Sequence, residues 1–327
     1  MKITMAHGSG GKATSELISE IFAKKFNNQI LSGMEDSAVV PGAQTIAMTT
    51  DSFVVTPVFF PGGDIGRLAV CGTVNDLLMS GATPKYLTCG FIIEEGMESA
   101  DLEKIVQSMA DTAREAGVLI VAGDTKVIDG KGGVYINTAG VGFVPQGRRI
   151  SASQCETGNA VLLSGYLGEH HAAILSSRMG IENQIESDCA PLNELANTLF
   201  QNGIRVKAMR DVTRGGLATV LNEFAEASSC CIELLEEQIP VSATVDGFCG
   251  ILGLDPLYMG NEGKLVLTVP EREAARALSL IQASPYGVDA QVVGTVLTGS
   301  PVVTQKTRAG GNRMIEPLLG EGLPRIC

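Results

Sequence analysis

Apolar residues recur along the chain with helical and strand spacings in alternation. Leu102, Ile105, Val106, Met109 and Ala113 stand at the i, i+3, i+4, i+7, i+11 positions of one helix face. The same spacing predicts further helices at 17–22, 65–81, 171–179, 191–201, 214–227 and 271–283. Short apolar runs predict strands at 45–55, 86–94, 118–122, 134–144, 160–164, 205–209, 232–235, 264–269 and 290–297. The mixture predicts an α+β fold.

The length of 327 residues predicts two domains. The turn-rich stretch 145–158 is the best boundary, which gives an N-terminal domain at 1–150 and a C-terminal domain at 151–309. The remainder, 310–327, is rich in glycine and proline and lacks periodicity, so we expect a flexible tail that carries Cys327.

Composition and charge narrow the class of protein. The chain is 45% hydrophobic and 18% charged, and it has no apolar run of membrane-spanning length and no signal-peptide pattern at 1–11. We therefore expect a cytoplasmic protein without a membrane partner. The net charge of −12 argues against nucleic acid as a partner, because a phosphate backbone would be repelled. A nucleotide held with a divalent cation remains compatible.

The eight cysteines include no C-x-x-C pair, so neither a disulfide framework nor a zinc site is predicted. Most lie among apolar neighbours, as small buried residues do. Cys327 differs because the printed sequence ends there. A thiol in that place suits a carrier of a chemical group, although chance also explains it.

The segment 7–12, HGSGGK, is close to two nucleotide-binding motifs without matching either one. Ala6 and Ala13 stand where a P-loop needs Gly and Ser or Thr, and a dinucleotide fingerprint would need a preceding strand. A glycine-rich loop that covers phosphate with its backbone N–H groups remains a hypothesis.

Acidic residues at predicted strand ends and helix turns form the stronger signal. They are Asp36, Asp51, Asp76, Asp124 and Asp211. Mg²⁺ bound to a nucleotide takes a few carboxylates together with phosphate oxygens, whereas any one aspartate alone is more often a cap or turn residue. Asp76 stands out because it lies inside an apolar helix, where an unpaired carboxylate is costly.

Two further side chains are candidates for chemistry. Lys126 follows Asp124 directly after a predicted strand, where it can contact phosphate or be an ordinary loop lysine. Glu262 lies between Gly260 and Gly263, ahead of a strand, and is either a general base or a turn residue.

Together these segments resemble the HypE family of hydrogenase maturation factors, within the larger superfamily of AIR synthetase-like proteins. The similar segments are 7–11, 50–52, 59–66, 72–76, 94–96, 123–127, 211–216, 261–264 and the terminal Pro324-Arg325-Ile326-Cys327. The last is the most specific, since the wider superfamily lacks it. Ser37 follows Asp36 where many superfamily relatives have a second aspartate.

The resemblance implies a two-domain PurM-like (AIR synthetase-like) fold and a homodimer whose N-terminal domains form a β-barrel. It implies ATP and Mg²⁺ as cofactors, loading of Cys327 by the carbamoyltransferase HypF, and transfer of cyanide to HypC with HypD. The implied reaction is the ATP-dependent dehydration of a carbamoyl group on Cys327 to a thiocyanate, which supplies the cyanide ligands of the [NiFe]-hydrogenase iron.

The implied site has three sets of residues. The catalytic set is Cys327, Lys126 and Glu262. The nucleotide-binding set is His7, Gly8, Gly10, Gly11, Asp51, Asn75, Asp76, Gly123 and Asp124. The metal set is Asp36, Asp51, Asp76 and Asp211. Two alternatives stay open: phosphoryl transfer to a free small molecule, and a non-catalytic carrier.

Overall fold

A computed structural model gives the fold, and it describes residues 2–9, 11–34 and 37–318. The described residues fall into two compact units. Unit 1 is built from residues up to 78 and from 82 to 146, and unit 2 from residues 79–81 and from 147 onward.

Unit 1 is organised around a four-stranded sheet with the order β1-β6-β4-β5. Its strands are β1 Ile46–Phe53, β4 Thr83–Glu94, β5 Leu119–Ile128 and β6 Val134–Phe143, and a small hairpin pairs β2 Phe59–Phe60 with β3 Gly63–Asp64. The pairs β1–β6 and β4–β6 are antiparallel, and β4–β5 is parallel. β1 and β5 are therefore the two edges of this sheet.

The two faces of this sheet differ. The helices of unit 1 are α1 Lys12–Leu17, which continues as a π-helical turn Ile18–Ala23, α2 Ile65–Met79 and α3 Ser99–Glu115. One face is buried through residues such as Leu87, Phe91 and Ile136. The other, which we call the open face, exposes large apolar side chains: Ile46, Met48, Ile92 and Leu119. Met48 is 71% exposed.

Unit 2 is organised around a seven-stranded sheet with the order β13-β12-β9-β11-β7-β10-β8. Its strands are β7 Asn159–Leu163, β8 Ala208–Asp211, β9 Cys231–Leu235, β10 Leu265–Pro270, β11 Gln291–Leu297, β12 Val302–Lys306 and β13 Asn312–Ile315. Its helices are α4 Glu169–Met179, α5 Asn193–Gln201, α6 Gly216–Ser228, α7 Ala243–Leu252 and α8 Glu271–Gln282. Strands β7 and β10 are nearly continuous runs of buried residues, as expected where both faces are covered.

Three differences from the sequence predictions concern the end of β5, the helix α7 and the stretch expected to be a tail. Strand β5 runs to Ile128 rather than ending at 122, so Asp124 and Lys126 lie within a strand and not in the loop after it. Helix α7 was not predicted. In the stretch 310–327, expected to be a tail, Asn312–Ile315 form β13 paired with β12, because Ile315 is buried against the core of unit 2.

Two observations bear on the class of protein. Among the residues described, none of the helices combines the length and apolarity that a membrane span requires. The cysteines described are free thiols, and all of them except Cys231 are buried.

We expect Gly66→Ala to destabilise unit 1. A Cβ at this position of α2 would lie 2.3 Å from the backbone oxygen of Ile105 in α3, so the two helices must separate. Overpacking of this kind costs about 1–3 kcal/mol in the free energy of unfolding. The matched control is Gly250→Ala in α7, where a Cβ meets open space and a gain of about 0.5–1 kcal/mol is expected. Equal unfolding midpoints in urea would contradict this account of the helix contact.

Candidate active site

Two of the predicted acidic residues meet along the seam between α2 and the edge strand β1. Asp76 is half-buried on α2, and its Oδ2 accepts a hydrogen bond from Thr49 Oγ1 on β1 at 2.8 Å. One helical turn earlier, a Cβ at Gly72 would lie 3.7 Å from Asp51 Oδ2. Thr49 and Asp51 are two residues apart and share one face of the strand. The fold therefore brings the carboxylates of Asp51 and Asp76 to one seam.

Glycine at position 72 makes this seam possible. A Cβ there would lie 2.8 Å from the Phe53 ring, so a larger residue would push α2 away from β1. Asn75, next to Asp76, is buried. The close approach of helix and strand thus holds the two carboxylates in place.

The seam fits part of a Mg²⁺ site. Mg²⁺ is commonly bound by one or two carboxylates, with substrate phosphates and water completing six oxygens. In the part of the chain that the structure describes, no three His, Cys, Asp or Glu side chains lie together in a way that could hold a metal ion. Asp36, the third predicted ligand from unit 1, lies outside the described residues. The described part of the seam therefore offers two carboxylates to a cation.

The opposite edge of the sheet carries a different set of groups. The turn Met5–Gly8 is closed by the Thr4 N–H, which donates to His7 Nδ1 at 3.0 Å. A Cβ at Gly8 would lie 2.5 Å from the backbone nitrogen of Val127, so only glycine lets the turn pack directly on β5. Gly11 forms the N-cap of α1, and Gly10 lies outside the described residues.

Asp124 and Lys126 pair on β5. Lys126 Nζ lies 2.6 Å from Asp124 Oδ1, and both side chains are well exposed. The hydrogen bond from Lys126 lowers the pKa of the Asp124 carboxyl below its usual value. The ammonium group of Lys126 is thus within reach of a ligand at this edge, and a phosphate there would compete with Asp124 for it.

A cavity of about 280 Å³ opens beside these residues. Its inner wall is apolar, from residues such as Phe22, Phe26 and Phe91, and Gly8 and the β5 segment 123–126 also line it. Burial raises the pKa of the Cys89 thiol in this wall to about 12, so that thiol is neutral and unreactive near neutral pH. An apolar wall beside polar groups is the usual character of a small-molecule pocket.

The two edges are too far apart to act as one site within a single chain. Three strand spacings of roughly 4.8 Å separate β1 from β5, about 14 Å in all. The faces differ as well. Asp124 and Lys126 are in register with Gly90 and Ile92, on the open face, whereas Asp51 is in register with Thr138, on the buried face. The predicted nucleotide-binding residues of unit 1 thus form two groups.

Unit 2 brings together the other two predicted site residues. Asp211, at the end of β8, is paired with Leu265 of β10, and the Val212 N–H donates to the Lys264 oxygen at 3.0 Å. Asn261 is fully buried and donates through Nδ2 to the Val212 oxygen at 3.0 Å. Glu262, also buried, follows it. Asp211 and Glu262 therefore lie at one end of the seven-stranded sheet.

The residues that lead toward Cys327 are fixed to unit 2 as far as Leu318. The Leu318 N–H donates to Thr219 Oγ1 at 3.3 Å, the Tyr258 hydroxyl donates to the Glu316 oxygen at 2.9 Å, and Asn222 Nδ2 donates to the Ile315 oxygen at 3.0 Å. Residues 319–327, with Cys327, lie outside the described residues.

Comparison with known proteins identifies the family. The model of the AIR synthase related protein, N-terminal domain, matches residues 34–144, and that of the C-terminal domain matches residues 156–306. The carbamoyl dehydratase HypE of Rhodobacter capsulatus is 48% identical over 339 residues, which covers 100% of this chain and 98% of that protein. The chain belongs to the HypE family. The family and the two-domain AIR synthetase-like fold expected from the sequence are thereby confirmed.

Two solved structures extend this comparison within the HypE family. A crystal structure of hydrogenase maturation protein HypE in complex with ATP matches with a TM-score of 0.95 at 44% identity, over 99% of each chain. A HypE–HypF complex matches with a TM-score of 0.81 at 46% identity, over 92% of this chain and 99% of that one.

Some residues that contact the predicted site residues were not predicted from the sequence. Thr49, the partner of Asp76, and Asp188 were not among the candidates, and Gly72 entered only as part of the segment 72–76 with no role assigned. For Gly72 the spacing on α2 was an available signal. Positions 72 and 76 share a helix face, and a glycine on that face indicates that another element packs closely there.

We expect Asp76→Asn to lower ATP turnover at least ~10-fold without a change in the unfolding midpoint, because the amide removes an anionic oxygen from the seam. Thr49→Val, which removes the hydroxyl that orients Asp76, should lower turnover in the same direction and by less. Asp111→Asn on the exposed side of α3 is the control. Wild-type turnover in a folded Asp76→Asn protein would show that this carboxylate is only a structural partner of Thr49.

Proposed function

We propose that this protein uses ATP to dehydrate a carbamoyl group on the Cys327 thiol to a thiocyanate, which supplies the cyanide ligands of the [NiFe]-hydrogenase iron. The observation that carries the proposal is whole-length similarity to a carbamoyl dehydratase, at 48% identity over 100% of this chain. The match to an ATP-bound HypE structure over 99% of the chain supports ATP as the second substrate.

The chemistry explains the need for ATP. The oxygen of a thiocarbamate is a poor leaving group, so direct loss of water from S–CO–NH₂ is slow. Transfer of the γ-phosphoryl group to that oxygen releases ADP and makes phosphate the leaving group. The nitrogen loses both protons, the C–O bond breaks to release phosphate, and the sulfur keeps a C≡N group.

The seam of Asp51 and Asp76 is where the chain would hold Mg²⁺, with Asp36 as a further proposed ligand. Asp211, the fourth predicted ligand, lies at the end of β8 in unit 2. Bound at the seam, the cation would neutralise charge on the triphosphate and align its γ-phosphorus. Asp51 and Asp76 would supply the anionic oxygens. The hydrogen bond from Thr49 orients the Asp76 carboxylate.

Lys126 and Glu262 are the proposed groups for phosphate contact and proton removal. Lys126 is exposed, and it could bind phosphate in place of its ion pair with Asp124. Glu262 is the proposed acceptor of a proton from the carbamoyl nitrogen. Gly8, Gly11 and the strand segment 123–124 lie at the cavity or beside it, and we assign them to the nucleotide together with His7 and Gly10.

A homodimer would bring together the candidate residues at the β1 edge and those at the β5 edge of unit 1. The open face exposes Ile46, Met48, Ile92 and Leu119, large apolar side chains of the kind that are buried in obligate interfaces. Because a two-fold interface pairs a surface with itself, a second copy can bring its β1 edge to the β5 edge of the first. We propose that the two N-terminal sheets form a barrel in this way, with one nucleotide bound where the edges meet.

The proposed partners follow the reaction. The HypE–HypF crystal structure supports HypF as a partner. We propose that HypF is the carbamoyl donor to Cys327. We propose HypC with HypD as the acceptor of the cyanide, and the cytoplasm as the place of reaction.

We expect Cys327→Ala to abolish thiocyanate formation and to leave ATP affinity unchanged, since only a thiolate accepts the carbamoyl group. The measurement is the intact mass of the protein after incubation with ATP and the carbamoyl donor system. Cys231→Ala, at the partly exposed cysteine of β9, is the matched control and should still gain the modification. Cyano-modified Cys327→Ala protein would mean that another residue is the carrier.

We expect Met48→Lys to convert a dimer to a monomer and to lower ATP turnover at least ~10-fold, because a buried unpaired ammonium is costly at an apolar interface. Sedimentation velocity gives the state of association. Met314→Lys, at a similarly exposed methionine of unit 2, should stay dimeric and active. A monomer that turns over at the wild-type rate would rule out the shared site.

A further inference from the structure

The backbone of Glu262 is held on both sides by one segment of unit 2. The Glu262 N–H donates to Asp188 Oδ1 at 3.0 Å, and the Glu262 oxygen accepts the Ala190 N–H at 3.4 Å. The segment is itself fixed, because Ser187 Oγ lies 2.7 Å from His170 Nδ1 and accepts the Cys189 N–H at 3.1 Å. The backbone of Glu262 is thus held in place by hydrogen bonds at both its N–H and its oxygen.

Gly263 allows the two segments to touch. A Cβ at this position would lie 1.8 Å from the backbone oxygen of Asp188, which no side chain can occupy. The Gly263 N–H points at Asp188 Oδ2 at 3.4 Å. A single carboxylate therefore faces two consecutive backbone N–H groups, those of Glu262 and Gly263.

The same carboxylate is paired with a cation that is largely buried. The Asp188 side chain has no exposed surface, and its Oδ2 lies 3.3 Å from the ammonium group of Lys264, which is 11% exposed. Lys264 also lies 3.8 Å from Glu169, whose carboxyl pKa is raised by burial. A buried carboxylate is tolerated when it is both paired and hydrogen-bonded, and Asp188 meets both conditions.

We propose that Asp188 is the positioning residue for Glu262. Its two oxygens contact three consecutive residues, at 262, 263 and 264, and so fix the direction in which the Glu262 side chain leaves the backbone. The proposal rests on the proposed function, in which Glu262 accepts a proton from the carbamoyl nitrogen. A displacement of the base by about 1 Å is enough to cost a large part of the rate.

Asp188→Asn is the first test. Asparagine offers one acceptor oxygen and an NH₂ group that cannot accept, so it cannot satisfy both N–H groups and Lys264. We expect kcat for carbamoyl dehydration to fall at least ~10-fold with KM for ATP within about twofold of wild type, since Glu262 is displaced and the nucleotide-binding residues are not. Asp289→Asn, an exposed carboxylate that also acts on Glu169, is the matched control and should keep wild-type kcat.

A second variant covers the outcome in which Asp188→Asn does not fold. Asp188→Glu keeps a negative charge for Lys264 and displaces both oxygens by one carbon. We expect it to fold and to show the same pattern, with kcat lowered and KM for ATP unchanged. Wild-type kcat in either folded variant overturns the proposal.

Glu262→Gln, measured together with the two Asp188 variants, distinguishes a failure of the Asp188 role from a failure of the proposed function. We expect Glu262→Gln to lose dehydration. Full activity of Glu262→Gln would remove Glu262 from the proposed mechanism and the positioning role with it. An inactive Glu262→Gln together with a fully active Asp188→Asn would leave the function standing and contradict only the role of Asp188.

Discussion

The two-residue alternation of the sheet in unit 1 is the constraint on which the rest of the site depends. Because successive side chains point to opposite faces, β1 presents Thr49 and Asp51 to α2 while it presents Met48 to the open face. β5 presents Asp124 and Lys126 to the open face. A shift of one residue in either register would exchange these positions. The location of each carboxylate and of Lys126 is therefore fixed by the same packing that buries the sheet.

Three glycines allow the close backbone contacts that position the candidate residues. Gly72 lets α2 approach β1 near Asp51, Gly8 lets the N-terminal turn lie on β5, and Gly263 lets the Glu262 segment lie against Asp188. Each glycine stands at a contact that a Cβ would prevent. Two of these contacts lie within unit 1 and the third lies within unit 2. The groups on β1 and β5 remain about 14 Å apart within one chain. The proposed association of two copies would account for both the separation and the exposed apolar face.

Much of the fold and part of the candidate site could be predicted from the sequence, and the failures have physical causes. The elements α3, β7 and β10 were predicted correctly, because α3 buries one helical face and β7 and β10 are short continuous apolar runs. The end of β5 was misplaced because the segment 123–126 looks like a loop, yet it continues the strand, with Asp124 and Lys126 on the open face. Thr49 and Asp188 could not be found, since their roles arise from partners 27 and 74 residues away. The expected dimer and the metal set stay predictions.

Complementation between two inactive variants tests the central claim, that one nucleotide site is built from two copies of the chain. Asp76→Asn alters the β1 edge and Lys126→Ala alters the β5 edge, so each homodimer should be inactive. When the two proteins are mixed and allowed to exchange subunits, half of the dimers are mixed. Each mixed dimer has one site with both edges intact, so ATP-dependent dehydration should recover to about a quarter of the wild-type rate. A mixture that exchanges subunits and stays inactive would contradict the shared site.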